Sequence, residues 1–161
     1  MPIMFKYQDV PGESKISGFE KYMEVSSFDF GLGRRITSGS ASTREGGTVS
    51  LSEIVLRKKT DGTTIKFFAQ ATNGKLDKDA EIAFVRTGTK NEAYLTFKLW
   101  KTTISGMNFK SAGGQDSRPD ETLHLNFNKV EIHYNPIGDD LSGSPSNANW
   151  DITEGKGTGA A

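Results

Sequence analysis

Arg118-Pro119-Asp120-Glu121-Thr122-Leu123-His124-Leu125-Asn126-Phe127-Asn128-Lys129-Val130-Glu131-Ile132-His133-Tyr134-Asn135-Pro136 reads as one long strand that starts at a proline and stops at one. Leu123, Leu125 and Phe127 share one parity, and Val130, Ile132 and Tyr134 share the other. Successive side chains on a strand point to opposite faces. The slip at Asn128-Lys129 therefore means either a bulge or a strand that buries a different face in each half. The same slip recurs upstream, where Met23 and Val25 oppose Phe28 and Phe30 in parity, with Ser26-Ser27 at the change. Both slips fall where a barrel would need to bend.

Outward from these stretches, short β-rich runs between turn clusters predict further strands near residues 3–10, 49–57, 80–87 and 93–105. In the last, Tyr94, Thr96, Lys98 and Trp100 oppose Leu95, Phe97 and Leu99, so apolar groups lie on both faces and the strand is expected to be covered on both sides. The one good helix signal follows Asp61, which with Thr63 or Thr64 offers a cap. Ile65, Phe68, Ala69 and Thr72 then repeat at helical spacing, and Asn73-Gly74 ends the run. The expected fold is a mostly β, small antiparallel barrel of two sheets with one short α-helix at an end. Residues 1–161 read as a single domain, with an extended loop at 37–48, a second loop at 106–118, a polar C-terminal segment at 138–149 and a frayed end at 155–161.

The 37–48 loop is small, polar and Gly-rich, with Ser38, Ser40, Thr43 and Thr48 along it and the charged pair Arg44-Glu45 near its tip. It is either an ordinary surface loop or an arm that orders on a partner. Structureless loops of this length are uncommon in compact domains, so the arm is the reading to test.

Composition narrows the chemistry. There is no Cys, hence no disulfide or thiolate chemistry, and 20 basic residues balance 20 acidic ones. That balance argues against an electrostatic footprint for nucleic acid or anionic membrane. The start Met1-Pro2-Ile3-Met4-Phe5-Lys6 does not read as a secretory signal, and no apolar run is long enough to span a bilayer. His124 and His133, nine residues apart on one strand, are too distant to share a metal. The Gly155-Lys156-Gly157-Thr158-Gly159 run lacks the strand and helix that a phosphate loop needs. Asp139-Asp140 and Asp77 with Asp79 read as solvated turns. No catalytic, cofactor or metal residue is expected.

The order Arg118-Pro119, Glu121-Thr122, Leu125-Asn126-Phe127, Lys129, Tyr134 and Pro136 resembles the C-terminal strand of the Hcp proteins, tube subunits of type VI secretion systems. Gly12-Glu13-Ser14-Lys15 is similar to the family's G-E-S-K corner, and Ser27-Phe28-Asp29-Phe30-Gly31 to its S-W-S-W-G strand with Phe for both Trp. Lys58 and Asp61 stand as in F-T-K-x-x-D, and Asn149-Trp150-Asp151 resembles G-W-D/N. Phe19 and Ile65 depart from a common His and a common helix-starting Pro. The resemblance covers roughly residues 3–156 in the family's order.

It implies a phage tail-tube-like fold and a structural, non-enzymatic role. Six copies would close into a ring, rings would stack, and the tube would be propelled from the cell by a contractile sheath with its spike proteins. The implied partners are the chain itself, sheath, spike and small secreted effectors, with no nucleic acid and no membrane insertion. The implied route is synthesis in the bacterial cytoplasm and secretion without a cleaved signal peptide. If Phe28 and Phe30 point into the core, Asp29 and Ser27 fall on the opposite face, which in such a ring lines the lumen. The arm at 37–48 would work between rings or subunits. The competing readings are a monomeric β-barrel that binds a small ligand or protein, and an enzyme whose site is too diffuse to see.

Overall fold

The computed structural model describes residues 1–36, 46–114, 118–137 and 143–159. In chain order the elements are β1 (Ile3–Tyr7), β2 (Met23–Val25), β3 (Ser27–Asp29), β4 (Leu32–Ile36), β5 (Gly46–Leu51), β6 (Ile54–Lys59), α1 (Thr64–Asn73), β7 (Lys78–Arg86), β8 (Glu92–Lys110), β9 (Asp120–Asn126), β10 (Lys129–Tyr134), β11 (Ser146–Asp151) and β12 (Lys156–Gly159). One sheet runs β12-β11-β10-β8-β7-β1-β2 and the other β3-β6-β9-β8. All the pairings are antiparallel. The fold is the expected two-sheet β structure with one short helix.

The two sheets share β8, whose first half pairs with β7 and β10 and whose second half pairs with β9. Between the halves Lys101 has φ 50°, a left-handed kink that turns the strand from one sheet into the other. The slip at Asn128-Lys129 is the matching corner. β9 pairs with β6 and the far half of β8, whereas β10 pairs with the near half of β8 and with β11. Crossing the corner reverses which parity faces inward, so Leu123, Leu125 and Phe127 before it and Val130 and Ile132 after it pack in one core. The slip at Ser26 is a third corner, since β2 pairs with β1 and β3 with β6. There the ladders do not join. The chain itself bridges the gap, and the Ser26 amide donates to the Arg57 carbonyl at 2.7 Å.

The core has an aromatic group at each end. Phe67 of α1 stacks on Phe5 at 5.9 Å and meets Tyr7 edge-on at 5.5 Å. At the other end Phe28 lies 4.9 Å from Phe97, and Phe30 lies 6.0 Å from Phe127. Strand β6 runs between these ends, from the β4–β5 hairpin to the helix. A second cluster of Met4, Phe19, Ala83 and Val85, with Ile16, Tyr22 and Ala93 against it, lies on the opposite face of the large sheet. The outer sides of β1 and β7, with Ala93 at the start of β8, are thus covered in part by the protein's own 16–22 segment. The outer residues of β8 otherwise lie outside that cluster.

Several elements differ from expectation. Residues 106–110 continue β8 instead of opening a loop, and Ser52-Glu53 divides the 49–57 run into β5 and β6. Ser146–Asp151 and Lys156–Gly159 form strands, since β10 offers β11 a free edge whose backbone pairing needs no apolar side chain. The helix forms where expected but turns a different face inward. Its buried residues are Thr64 and Phe67, with Ala71 packed behind, whereas Ile65 is 76% and Phe68 54% exposed. The helix packs on the core through one ring, Phe67, so its inward stripe is narrow. The Ile65-Phe68 repeat is displaced from that stripe by about 100°.

Phe67→Ala is accordingly expected to lower unfolding stability by about 3–5 kcal/mol. Phe68→Ser should shift it by no more than about 0.5 kcal/mol in dilute solution. Urea unfolding of the two variants checks this, and equal losses would restore the expected face.

Candidate functional site

Lys58 and Glu121 occupy paired positions across the β6–β9 ladder. Both follow the inward parity of their strands, Lys58 after Ile54 and Leu56, and Glu121 before Leu123 and Leu125. Two opposite charges are therefore delivered into the core. The Lys58 ammonium lies 2.7 Å from Glu121 Oε2, with both side chains almost wholly removed from solvent. That contact is electrostatic, not an aligned hydrogen bond. The same ammonium reaches Asp61 Oδ1 at 3.0 Å and the Lys59 carbonyl at 3.2 Å, and lies 5.8 Å from the centre of the Phe67 ring.

The first turn of α1 closes the knot. The Thr64 hydroxyl donates to Glu121 Oε1 and accepts from the Asp61 amide at 3.1 Å. Asp61 Oδ1 accepts from the Thr63 amide at 2.8 Å and from the Thr63 hydroxyl. The Gly62 amide donates to Glu13 Oε1 at 3.1 Å, and a Cβ on Gly62 would stand 2.8 Å from that oxygen. Beside it, Gly12 donates to the Lys21 carbonyl at 2.7 Å, with Tyr22 so close that a Cβ would lie 2.4 Å from its carbonyl oxygen. Ser14 donates its amide to the Tyr22 carbonyl and accepts on Oγ from the Ile16 amide. Arg118 donates to the Thr60 carbonyl at 3.2 Å, and the Thr60 amide to the Pro119 carbonyl at 3.0 Å.

Three segments distant in sequence, at 12–14, 58–61 and 118–122, thus meet where the helix begins. A groove of about 560 Å³ passes this point, lined by Glu13, Lys15, Lys59, Asp61 and Arg118 among others. The chemistry of the knot is structural. The Lys58 nitrogen is surrounded by its own oxygens and an aromatic face, and these hold it in place. Burial pushes the Asp61 carboxyl up, but hydrogen bonds from Thr63 and Lys58 and the nearby ammonium outweigh it and hold the group below the usual carboxylate range.

The remaining expected residues divide between core and surface. Phe28, Phe30 and Trp150 pack against the core, and Leu125 and Phe127 belong to it. Thr122 pairs with Arg57, and Asn126 ends β9. The Lys129 ammonium sits 5.1 Å from the centre of the Trp100 ring. Tyr134 and Pro136 are half-buried at the end of β10. Ser27 and Asp29 point away from the two phenylalanines, Asp29 exposed and Ser27 half-buried. Thr48 is exposed within β5, while Ser38, Ser40, Thr43, Arg44 and Glu45 lie outside the described residues. His124 faces Glu53 at 3.4 Å and His133 faces Glu131 at 2.7 Å. Thr64, read in the sequence only as a possible helix cap, and Phe67, which no sequence signal singled out, belong to the knot. The available signal was parity, which put one charged residue of each sign on an inward face. Among the described residues no group of three or more His, Asp or Glu is arranged to hold a metal ion.

Two antiparallel sheets sharing β8, a polar knot where the one helix begins and a separate two-stranded hairpin make up the described fold. The family described as "Type VI secretion system effector, Hcp" matches residues 4–134, and the chain belongs to that family. Protein hcp1 of Pseudomonas aeruginosa is 25% identical over 155 residues, covering 94% of this chain and 95% of that protein. Among solved structures, a "type six secretion system protein" superposes with a TM-score of 0.89 at 22% identity, covering 98% of this chain and 99% of the other. Hcp1 of Salmonella typhimurium superposes with a TM-score of 0.75 at 16% identity, covering 98% of both chains. A type VI secretion system effector from Yersinia pestis gives 0.72 at 16%, covering 93% of this chain and 99% of that one.

Because the folded-state pKa of Asp61 is depressed, its contribution to stability is present above the ordinary value of 3.8 and lost as pH falls through the lower folded value. Asp61→Asn should be less stable than the parent at neutral pH. The gap should narrow as pH falls below 3.8. Urea midpoints measured from neutral pH down into that range check it, and a gap independent of pH would remove Asp61 from the account.

Proposed function

We propose that this chain is the subunit of a secreted tube. Six copies close into a ring, rings stack, and the tube is driven out with the spike proteins by a contractile sheath. The role is mechanical, not catalytic, and the route out of the cytoplasm requires no cleaved signal. Family membership supports the reading. The structural observation that carries it is the β4–β5 hairpin, a two-stranded sheet that pairs with neither of the others. Its Leu32 and Ile36 are 64% and 59% exposed, which a monomer has no use for. Asp29 and Ser27 face away from the core on β3, as lumen positions would, and small effectors would meet a ring of carboxylates there. A ring of identical copies needs one heterologous contact repeated until it closes.

Native mass spectrometry at tens of micromolar is expected to show a closed ring of six chains. With a small effector added, Asp29→Lys should leave the ring mass intact and change cargo capture. A monomer under all conditions would end this reading in favour of a β-barrel binding module.

A further inference from the structure

We propose that the groove beside the Lys58–Glu121 knot binds the C-terminal end of an extended peptide. The peptide pairs with the open edge of β2, and its terminal carboxylate meets Lys15 and Arg118. This does not rest on the tube reading. It begins from a seam between the sheets. β2 pairs only with β1, and β3 covers β6 only over Val55–Arg57, although β6 runs on to Lys59. Two strand edges therefore part at Ser26, and the groove of about 560 Å³ is lined by both. Along a strand, the amide and carbonyl of one residue point to one side and those of the next residue to the other. The Tyr22 carbonyl accepts from Ser14 and the Ser26 amide donates to Arg57, both away from β1. Glu24 stands between them, so its amide and carbonyl also turn from β1 and open into the groove. On the facing wall the Thr60 amide turns to the Pro119 carbonyl, so the Lys59 amide, one residue earlier, faces the groove. An open strand edge of this kind accepts a further strand.

The ends and the charges of the groove select the occupant. At one end Ser26 is joined to Arg57, and at the other the Gly62 amide reaches Glu13 Oε1. Those two links stop a strand that runs straight through, whereas a chain terminus fits between them. Ile16, Met23 and Val25 give the wall an apolar lining. The carboxylates there are Glu13, Glu24 and Asp61. Glu13 is held by Gly62, and Asp61 by Lys58 and Thr63, while the Glu24 side chain is exposed. Among the cations, Lys58 belongs to the knot and Lys59 pairs with Asp120 at 2.7 Å. Lys15 has no ion-pair partner among the described residues, and Arg118 gives its hydrogen bond to the Thr60 carbonyl, not to a carboxylate. Two cations thus line the groove against the one uncommitted carboxylate of Glu24. A terminal carboxylate supplies the second through charge-assisted hydrogen bonds.

The probe is a fluorescent tetrapeptide of alternating serine and valine with a free C-terminal carboxylate, titrated with the purified chain and read by polarisation. Binding should saturate, and both amidation of the peptide terminus and Lys15→Gln should weaken it about tenfold. Glu24→Pro removes an outward amide from an edge strand, a place that tolerates proline, so it should fold and bind several-fold more weakly. Sodium acetate at the concentration of unlabelled peptide that displaces the probe should displace none. No saturable binding, equal affinity for acid and amide, or full affinity in Lys15→Gln overturns the proposal. Displacement by acetate as effective as by peptide means an anion site only, and overturns it too. If Glu24→Pro fails to fold, amide hydrogen exchange on the parent chain decides. The Glu24 and Lys59 amides should exchange more slowly with the peptide bound, and unchanged exchange counts against the site.

Discussion

A lysine and a glutamate facing each other inside the hydrophobic core of two β-sheets set the terms for the rest of this structure. Taking two charges out of water is expensive, and attraction offsets that expense only with good geometry and full hydrogen bonding. Here the surrounding chain supplies close geometry and most of the hydrogen bonding, while Glu121 Oε2 is met by the Lys58 ammonium as an ion pair without an aligned hydrogen bond. Glu121 receives Lys58 on one oxygen and Thr64 on the other, and Lys58 has Asp61 and a backbone carbonyl besides. Satisfying the pair therefore requires the helix to start at Thr64, the turn at Asp61–Thr63 to close under it, and the Gly12–Ser14 corner to lie against Gly62. Removing one partner strands the other, which is why a polar knot can enforce a single arrangement of three remote segments.

The barrel complements this with corners. Lys101, Ser26 and Asn128 lie where strands leave one sheet for the other, and each shift of parity keeps the apolar side chains pointed at a common core. The β4–β5 hairpin pairs with neither main sheet and reaches the core through Leu51. The body is fixed by its own core and knot, while Leu32, Ile36, Ile65 and Phe68 are exposed to solvent.

Much of this was legible in the sequence, and the failures have physical reasons. The parity slips at Ser26-Ser27 and Asn128-Lys129 marked the corners, although alternation alone could not say whether a bulge or a change of sheet lay behind them. Caps and a Gly stop placed the helix, but its periodicity pointed to the wrong face, because the helix packs inward through Thr64, Phe67 and Ala71 and leaves Ile65 and Phe68 exposed. β11 and β12 were invisible because Asn, Ser and Gly pair through backbone alone. Lys58 and Glu121 stand in separate family-like motifs, and nothing in their spacing shows that they touch. Their inward parity was present in the sequence, yet a charge at a core position is ordinarily read as the end of the apolar run.

Lys58 and Glu121 should act as one unit. A double-mutant cycle with Lys58→Met and Glu121→Leu, read by urea unfolding at fixed protein concentration, measures this directly. Each single change should destabilise by about 3–5 kcal/mol because it leaves a buried charge unpaired, and the double change should cost clearly less than the sum. Losses that add to within about 0.5 kcal/mol would show two independent side chains and contradict the central role given to the pair.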